Sequence, residues 1–131
     1  MRRLLTLTLV AAACLAACGG GNDKQEARDT VKQFFTALQK RDLGKLCDRL
    51  LTKDLLQRTT GATGDRAGQE CRRQFKDIKA TDFKLVSVGK TSVNGDNATV
   101  QATIERQGQS QPQVFRLKKE DGDWRLANSG Q

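Results

Sequence analysis

The stretch VNGDNATVQATI, residues 93–104, decides the fold, because it lies where the hydrophobic period of the chain has changed from helical to alternating. Asn94-Gly95 is the strongest short signal for a β-hairpin turn. Beyond the turn, the apolar residues that alternate with polar ones are Ala98, Val100, Ala102 and Ile104. This alternation predicts a half-buried strand of an antiparallel hairpin.

The residues on either side of this stretch extend the predicted sheet. The segment from Asp82 to Val93 fits a strand with an irregularity. Residues 107–113 are polar, hold the only proline and predict a loop. A further strand over 115–118 turns at Asp121-Gly122 and leads to a last strand.

Before Asp82, the apolar residues recur with a helical period. The clearest stripe predicts a helix over residues 24–41 and consists of Ala27, Val31, Phe34, Phe35 and Leu38. Asp42 is placed to cap a second helix, residues 53–58 add a further turn, and Asp65 restarts a helix after a loop. Helices followed by an antiparallel meander predict the α+β class, and 131 residues fit one domain.

The N-terminal residues have the pattern of a targeting segment. Arg2 and Arg3 precede an apolar run over 4–13, too short to span a bilayer but suited to a signal peptide. The run Leu15-Ala16-Ala17-Cys18 resembles the lipobox of bacterial lipoproteins. This resemblance implies that the Cys18 thiol receives a lipid and that the chain is cut just before it.

The lipobox resemblance divides the chain into a signal peptide over 1–17, a lipidated tether over 18–23 and a folded domain over 24–131. It implies a palmitate-type lipid anchor on the extracytoplasmic face of the cell membrane. Cys14 fits the pattern less well, because Ala11 stands where the lipobox favours leucine. The alternative is an ordinary signal peptide with a chance cysteine.

Two cysteines remain in the body, Cys47 and Cys71, and both lie on apolar stripes of predicted helices. Because exported proteins tend to be oxidised, we expect a disulfide between them. The alternative is a pair of free, buried cysteines. No metal site is expected, since the chain has no histidine and the spacing matches no zinc motif.

The order of the elements resembles the nuclear transport factor 2-like (cystatin-like) superfamily. Three segments carry the resemblance: VKQFFTALQKRDLGKLCDRL (31–50), VNGDNATVQATI (93–104) and VFRLKKEDGDWRLANSG (114–130). The resemblance implies N-terminal helices packed on a strongly curved antiparallel sheet, which together form a cone. It also implies that the outer face of the sheet can dimerise or bind partners.

Enzymes of this superfamily, similar to ketosteroid isomerases and polyketide cyclases, hold an acid or base inside the cone. The present chain has no histidine and no tyrosine, and its carboxylates lie mainly at turns and polar helix faces. The carboxylates least tied to turns are Asp29, Asp48, Asp77 and Glu105. We therefore expect no catalytic residues, no cofactor and no enzymatic activity, with an isomerase-like or cyclase-like enzyme as an alternative.

Two other functions fit the resemblance, of which we expect the first and keep the second as its alternative. The first is an accessory or interaction module of the cell envelope, with a protein partner. The second is a pocket for a small apolar or lipid-like ligand, lined by Phe34, Phe115 and Trp124. The alternative for these three aromatic residues is that they only fill the core.

The net charge of +8 bears on the partners. Basic residues cluster around the second helix (Lys40 to Arg58) and the third (Arg66 to Lys79). Because export argues against nucleic acid, we expect an anionic lipid surface as the partner of these charges. The alternative is that they are solvated helix faces.

Overall fold

A computed structural model describes residues 20–128. The helices are α1 (Gly20–Lys40), α2 (Leu43–Arg49), α3 (Lys53–Thr60) and α4 (Gly64–Lys76), followed by a 3-10 turn (Ala80–Asp82). The strands are β1 (Phe83–Asn94), β2 (Asn97–Arg106), β3 (Gln109–Glu120) and β4 (Asp123–Leu126). The expected signal peptide and Cys18 lie outside the described residues.

The four strands form one antiparallel meander in the order β1-β2-β3-β4. The register of β1 on β2 shifts between Leu85 and Ser87 and again between Val88 and Thr91. The predicted strand irregularity is thus confirmed. Such bulges bend a strand and increase its twist, so they help to curve the sheet around the helices.

The predicted polar loop over 107–113 is wrong. Only Gln107 and Gly108 form the turn, with φ angles of 52° and 80°, and β3 begins at Gln109. The positions of β3 that share a face with the buried side of β2 are here glutamines, Gln111 and Gln113 among them, so no apolar alternation marks the strand. Pro112 is tolerated because β4 pairs only with the later part of β3.

The helix boundaries follow local capping. Asp42 caps α2, as predicted, because its side chain accepts a hydrogen bond from Lys45 N. Thr52 caps α3 in the same way through Leu55 N. The helix α1 begins at Gly20 rather than at residue 24, so residues 20–23, expected to be part of a flexible tether, are helical. The carboxylate of Asp23 favours this earlier start, since it lies in the first turn.

The core lies between α1 and the inner face of the sheet. The buried side chains of α1 include Ala27, Val31, Phe35 and Leu38, and those of the sheet are Ala98, Val100, Ala102, Ile104, Phe115, Leu117, Trp124 and Leu126. The segment before α3 extends the sheet, because Leu51 forms a parallel bridge with Leu126. Two backbone bonds hold it there, Thr52 N to Leu126 O and Leu126 N to Leu50 O.

Among residues 20–128, no helix is both long and apolar enough to cross a membrane.

Candidate functional site

A cavity of about 380 Å³ lies where the C-terminal half of α1 and the end of α4 meet the start of β1 and the β2–β3 end of the sheet. Its lining is mainly aromatic and aliphatic: Phe34, Phe35, Leu38, Phe75, Ile78, Phe83, Ile104 and Phe115. Two polar side chains, Arg106 and Gln113, complete it. This volume is at the lower end of the range for small-molecule sites.

The aromatic rings pack edge to face. Phe34 lies 5.4 Å from Phe35 and 6.5 Å from Phe75, and Phe35 lies 5.9 Å from Phe115, between ring centroids. Phe35 and Phe115 are buried and form the floor, whereas Phe34 and Phe75 are half-buried. The cavity therefore has an apolar floor of buried rings, and the rings of its walls keep an exposed surface that a ligand could bury.

The polar pair comes from the ends of β2 and β3. The Oε1 atom of Gln113 is buried and has no hydrogen-bond partner among the described residues. The guanidinium of Arg106 lies over the ring of Phe83, with its carbon 4.7 Å from the ring centroid. A buried amide oxygen without a partner is costly, so the Gln113 side chain keeps unused hydrogen-bonding capacity.

The structure brings together two of the three aromatic residues proposed from the sequence. Phe34 and Phe115 line the cavity. Trp124 does not, because β4 pairs only with the far end of β3. Its indole N–H instead donates to Asp23 at 3.3 Å, beside Lys119, near the start of α1.

The core-filling alternative applies to part of this set. Phe115 and Trp124 are almost fully buried, at 3% and 4% exposure, and so are core residues. Phe34 keeps a solvent-accessible side toward the cavity. Phe115 and Trp124 thus fill the core, whereas the ring of Phe34 is partly exposed beside the cavity.

The sulfur atoms of Cys47 and Cys71 lie 2.07 Å apart, at disulfide distance, which supports the expected pairing. Both residues are buried, at 0% and 2% exposure. The bond joins α2 to α4 on the core side, away from the cavity. Its role here is structural.

None of the carboxylates singled out from the sequence lines the cavity. Asp48 forms an ion pair with Arg72 at 2.9 Å, and Asp77 ends α4. Glu105 lies on the opposite face of β2 from Ile104, and Asp29 borders a groove between α1 and β4. No acidic side chain of the described residues lines this cavity.

A second, larger depression of about 760 Å³ lies between α2, α3 and α4. It borders Cys47, but its rim holds the ion pair between Asp48 and Arg72. Arg125 donates to the Asp48 carbonyl across the same region. Asp48 and Arg72 thus neutralise each other, whereas the buried Arg125 Nε has no partner among the described residues. The depression has fewer apolar side chains in its lining than the aromatic cavity has, so it fits an apolar ligand less well.

Sequence reasoning missed the cavity residues Phe75, Phe83, Arg106 and Gln113. One signal could have identified Gln113. It is two residues before Phe115 in the same strand, and side chains two residues apart lie on the same face of a strand. No group of three or more His, Cys, Asp or Glu side chains within residues 20–128 could hold a metal ion.

No protein-family model matches the chain, and no curated protein sequence matches it. Among solved structures, an NTF2-like protein of unknown function from Cytophaga hutchinsonii ATCC 33406 is similar, with a TM-score of 0.50 at 18% identity, over 80% of this chain and 89% of that one. A protein from Kribbella flavida DSM 17836, described as a candidate ketosteroid isomerase, has a TM-score of 0.50 at 24% identity, over 80% and 77%.

These similarities, together with four helices that precede a four-stranded antiparallel sheet, show the nuclear transport factor 2-like fold expected from the sequence. At such identities they concern the fold alone.

Proposed function

We propose that the domain binds a small, mainly apolar ligand in the aromatic cavity, without catalysing its conversion. The observation that carries this proposal is a lining of aromatic and aliphatic side chains that two polar side chains, Arg106 and Gln113, complete. A small-molecule site typically combines such a lining with a few convergent polar groups. The lining contains no carboxylate to act as an acid or base, and the chain has no histidine or tyrosine.

We further propose that Cys18 carries a lipid that anchors the domain to the extracytoplasmic face of the membrane. Asp23 is in the first turn of α1, and Phe34 follows it along the same helix. At 1.5 Å per residue, the two lie about 16 Å apart along the helix axis. The anchor would therefore hold the domain by the end opposite to the cavity.

The binding proposal is tested with naphthalene-2-methanol, a neutral aromatic probe whose fluorescence reports its surroundings. The full chain is reconstituted in nanodiscs, and empty nanodiscs correct for uptake by lipid. We expect saturable binding that weakens at least about tenfold in Phe34→Ala, because that ring forms one wall. The matched control is Val114→Ala, since Val114 is 38% exposed and does not line the cavity. Binding that is absent, or equally weakened by both substitutions, would refute the proposal.

The anchor proposal is tested with Cys18→Ser expressed in a bacterium that lipidates its lipoproteins. We expect the wild-type chain to enter the detergent phase and to carry a diacylglycerol mass, and the variant to lose that mass. Cys14→Ser is the matched control and should retain the lipid. A variant Cys18→Ser with unchanged lipid mass would contradict the lipobox interpretation.

An accessory module with a protein partner is the second candidate function. Two large apolar side chains of residues 20–128 are exposed, Val86 at 51% and Val114 at 38%. Val114 lies on the outer face of the sheet, opposite Gln101. Because this is a small apolar surface for a protein interface, we rank ligand binding above it.

The proposed anionic lipid partner rests on the basic helices. Several of those side chains already have partners within the domain: Arg58 pairs with Asp54, Arg72 with Asp48 and Arg73 with Glu70. Lys45 and Arg49 have no ion pair among the described residues, and both border the groove beside Glu26 in the first half of α1, the half nearer the proposed anchor. This smaller group is where we place any contact with anionic lipid.

A further inference from the structure

We infer that the ligand of the aromatic cavity is a carboxylic acid with an apolar body, held by Arg106. This inference rests on the proposed ligand binding and adds the chemical class of the ligand. Arg106 is the only charged side chain in the lining. The lining of the cavity therefore carries a positive charge, which favours the binding of an anion and disfavours the binding of an ammonium group.

The guanidinium of Arg106 is positioned by the sheet. Phe83 is its direct cross-strand partner on β1, and the ring lies under the guanidinium carbon at 4.7 Å. Stacking on an aromatic face orients a guanidinium and leaves the N–H groups at its edge free to donate. No ion pair among residues 20–128 involves Arg106. These donors match the two oxygens of a carboxylate.

The two polar side chains of the cavity lie at different positions along the strands. Arg106 ends β2, whereas Gln113 pairs with Ala102, further into the sheet. At about 3.3 Å per residue, the two positions differ by about 13 Å along the strand. The rings of Phe34 and Phe115 lie in the same cavity. A ligand would thus place its carboxylate at Arg106 and its apolar body against the phenylalanines.

Gln113 suits the other end of such a ligand. Its amide carries both a donor and an acceptor, and a half-turn of the amide exchanges them. A hydroxyl or carbonyl on the body of the ligand would satisfy it. Arg106 and Gln113 therefore recognise different parts of one molecule.

The test compares acids with matched neutral and cationic molecules, using the full chain in nanodiscs. The aromatic set is 2-naphthoate, 2-naphthamide and 2-naphthylmethylammonium, and the alkyl set is octanoate and octanamide. We expect an acid to bind at least about tenfold more tightly than its amide, since hydrogen bonds to charged groups are the stronger kind. If 2-naphthoate binds more tightly than octanoate, the ligand is an aromatic acid. If octanoate binds more tightly, the ligand is a lipid-derived acid.

The substitution Arg106→Gln should abolish the preference for the acid and leave the affinity for the amide within about threefold. Arg116→Gln is the matched control, because Arg116 is on the opposite face of the same sheet, exposed beside Thr99. It should keep the preference. A thermal melt of each variant establishes that it is folded.

The outcomes separate this inference from the proposed function. If the amides bind as tightly as the acids, or if Arg106→Gln keeps the preference, the carboxylate inference is wrong and ligand binding stands. A preference for the ammonium probe overturns the inference equally. If no member of either set binds, and naphthalene-2-methanol does not bind, the proposed function fails and the inference fails with it.

Discussion

The Nζ atom of Lys119 on β3 lies 3.0 Å from Oδ1 of Asp23 in the first turn of α1. The same oxygen accepts the indole N–H of Trp124 at 3.3 Å. The hydrogen bond from Lys119 is the main reason why the pKa of Asp23 is lowered from its ordinary value, while burial opposes the shift. These contacts fix the start of α1 to the sheet.

Asp23→Asn tests this contact through the pH dependence of stability. A carboxylate with a lowered folded-state pKa stabilises the fold above its unfolded value, here 3.8, and loses that contribution as the pH falls further. We expect the variant to be less stable than the wild type at pH 7, with a difference that shrinks below about pH 4. Urea unfolding at pH 7 and pH 3 measures both quantities.

The control for this measurement is Asp54→Asn. Asp54 is 74% exposed, and its one ion pair within residues 20–128 is with Arg58 of the same helix. Its replacement should have little effect on stability at either pH, as for most surface pairs. Equal stability of Asp23→Asn and wild type at pH 7 would show that the contact with Lys119 contributes nothing.

Removal of the disulfide should destabilise the domain strongly. Cys47 and Cys71 are separated by 24 residues, and closing a loop of that size in the unfolded chain is worth about 3.5 kcal/mol in the chain-entropy model. We expect Cys47→Ala/Cys71→Ala to lower the Tm by more than about 10 °C. Reduction of the wild type should lower it by a similar amount. An unchanged Tm after confirmed reduction would contradict this.

Arg41 connects the end of α1 to the end of α4. Its guanidinium donates to the carbonyls of Lys76 and Ile78, and its backbone has a positive φ of 60°. We expect Arg41→Ala to lower the free energy of unfolding by about 1–2 kcal/mol through the lost hydrogen bonds. Arg41→Gly loses the same bonds but relieves the left-handed backbone, so it should be about 1 kcal/mol more stable than the alanine variant.

Chemical denaturation of these two variants beside the wild type separates the two effects. If the alanine variant is as stable as the wild type, the guanidinium contacts contribute nothing. If the two variants are equally stable, the positive φ carries no cost.

Two neighbouring phenylalanines should respond differently to truncation. Phe35 is 5% exposed in the core, and Phe35→Ala should cost about 3–5 kcal/mol of unfolding free energy. Phe34 is half-buried beside the cavity, so Phe34→Ala should cost less than half as much while it weakens probe binding. Thermal melts and binding measured on the same samples test the contrast. Equal losses of stability would mean that Phe34 is a core residue.

Much of the fold could be predicted from residues with strong local preferences. Asn94-Gly95 specified a hairpin, Asp42 specified a helix start, and the alternation from Ala98 to Ile104 specified a half-buried strand. Each of these signals depends on backbone geometry or on burial of one face, and both act locally.

The sequence does not predict the first part of β3, because its inward-facing residues are glutamines. They lie at the open end of the sheet, outside the apolar core, so apolar and polar residues do not alternate there. The start of α1 was placed too late, since the contacts of Asp23 that hold it are made to Lys119 and Trp124 far along the chain.

By itself, the sequence determined the α+β class, the order of the elements and the buried faces of α1 and β2, because these follow from the spacing of apolar side chains and from turn residues. Only the tertiary structure decided that Phe34 shares a cavity with Arg106 and Gln113, and that Trp124 lies at the other end of α1. The physical reason is strand length and register. The strand β4 is so short that it pairs only with the C-terminal end of β3, which places Trp124 there. The hairpin between β2 and β3 is at the opposite end of the sheet, and it brings Arg106 and Gln113 together there.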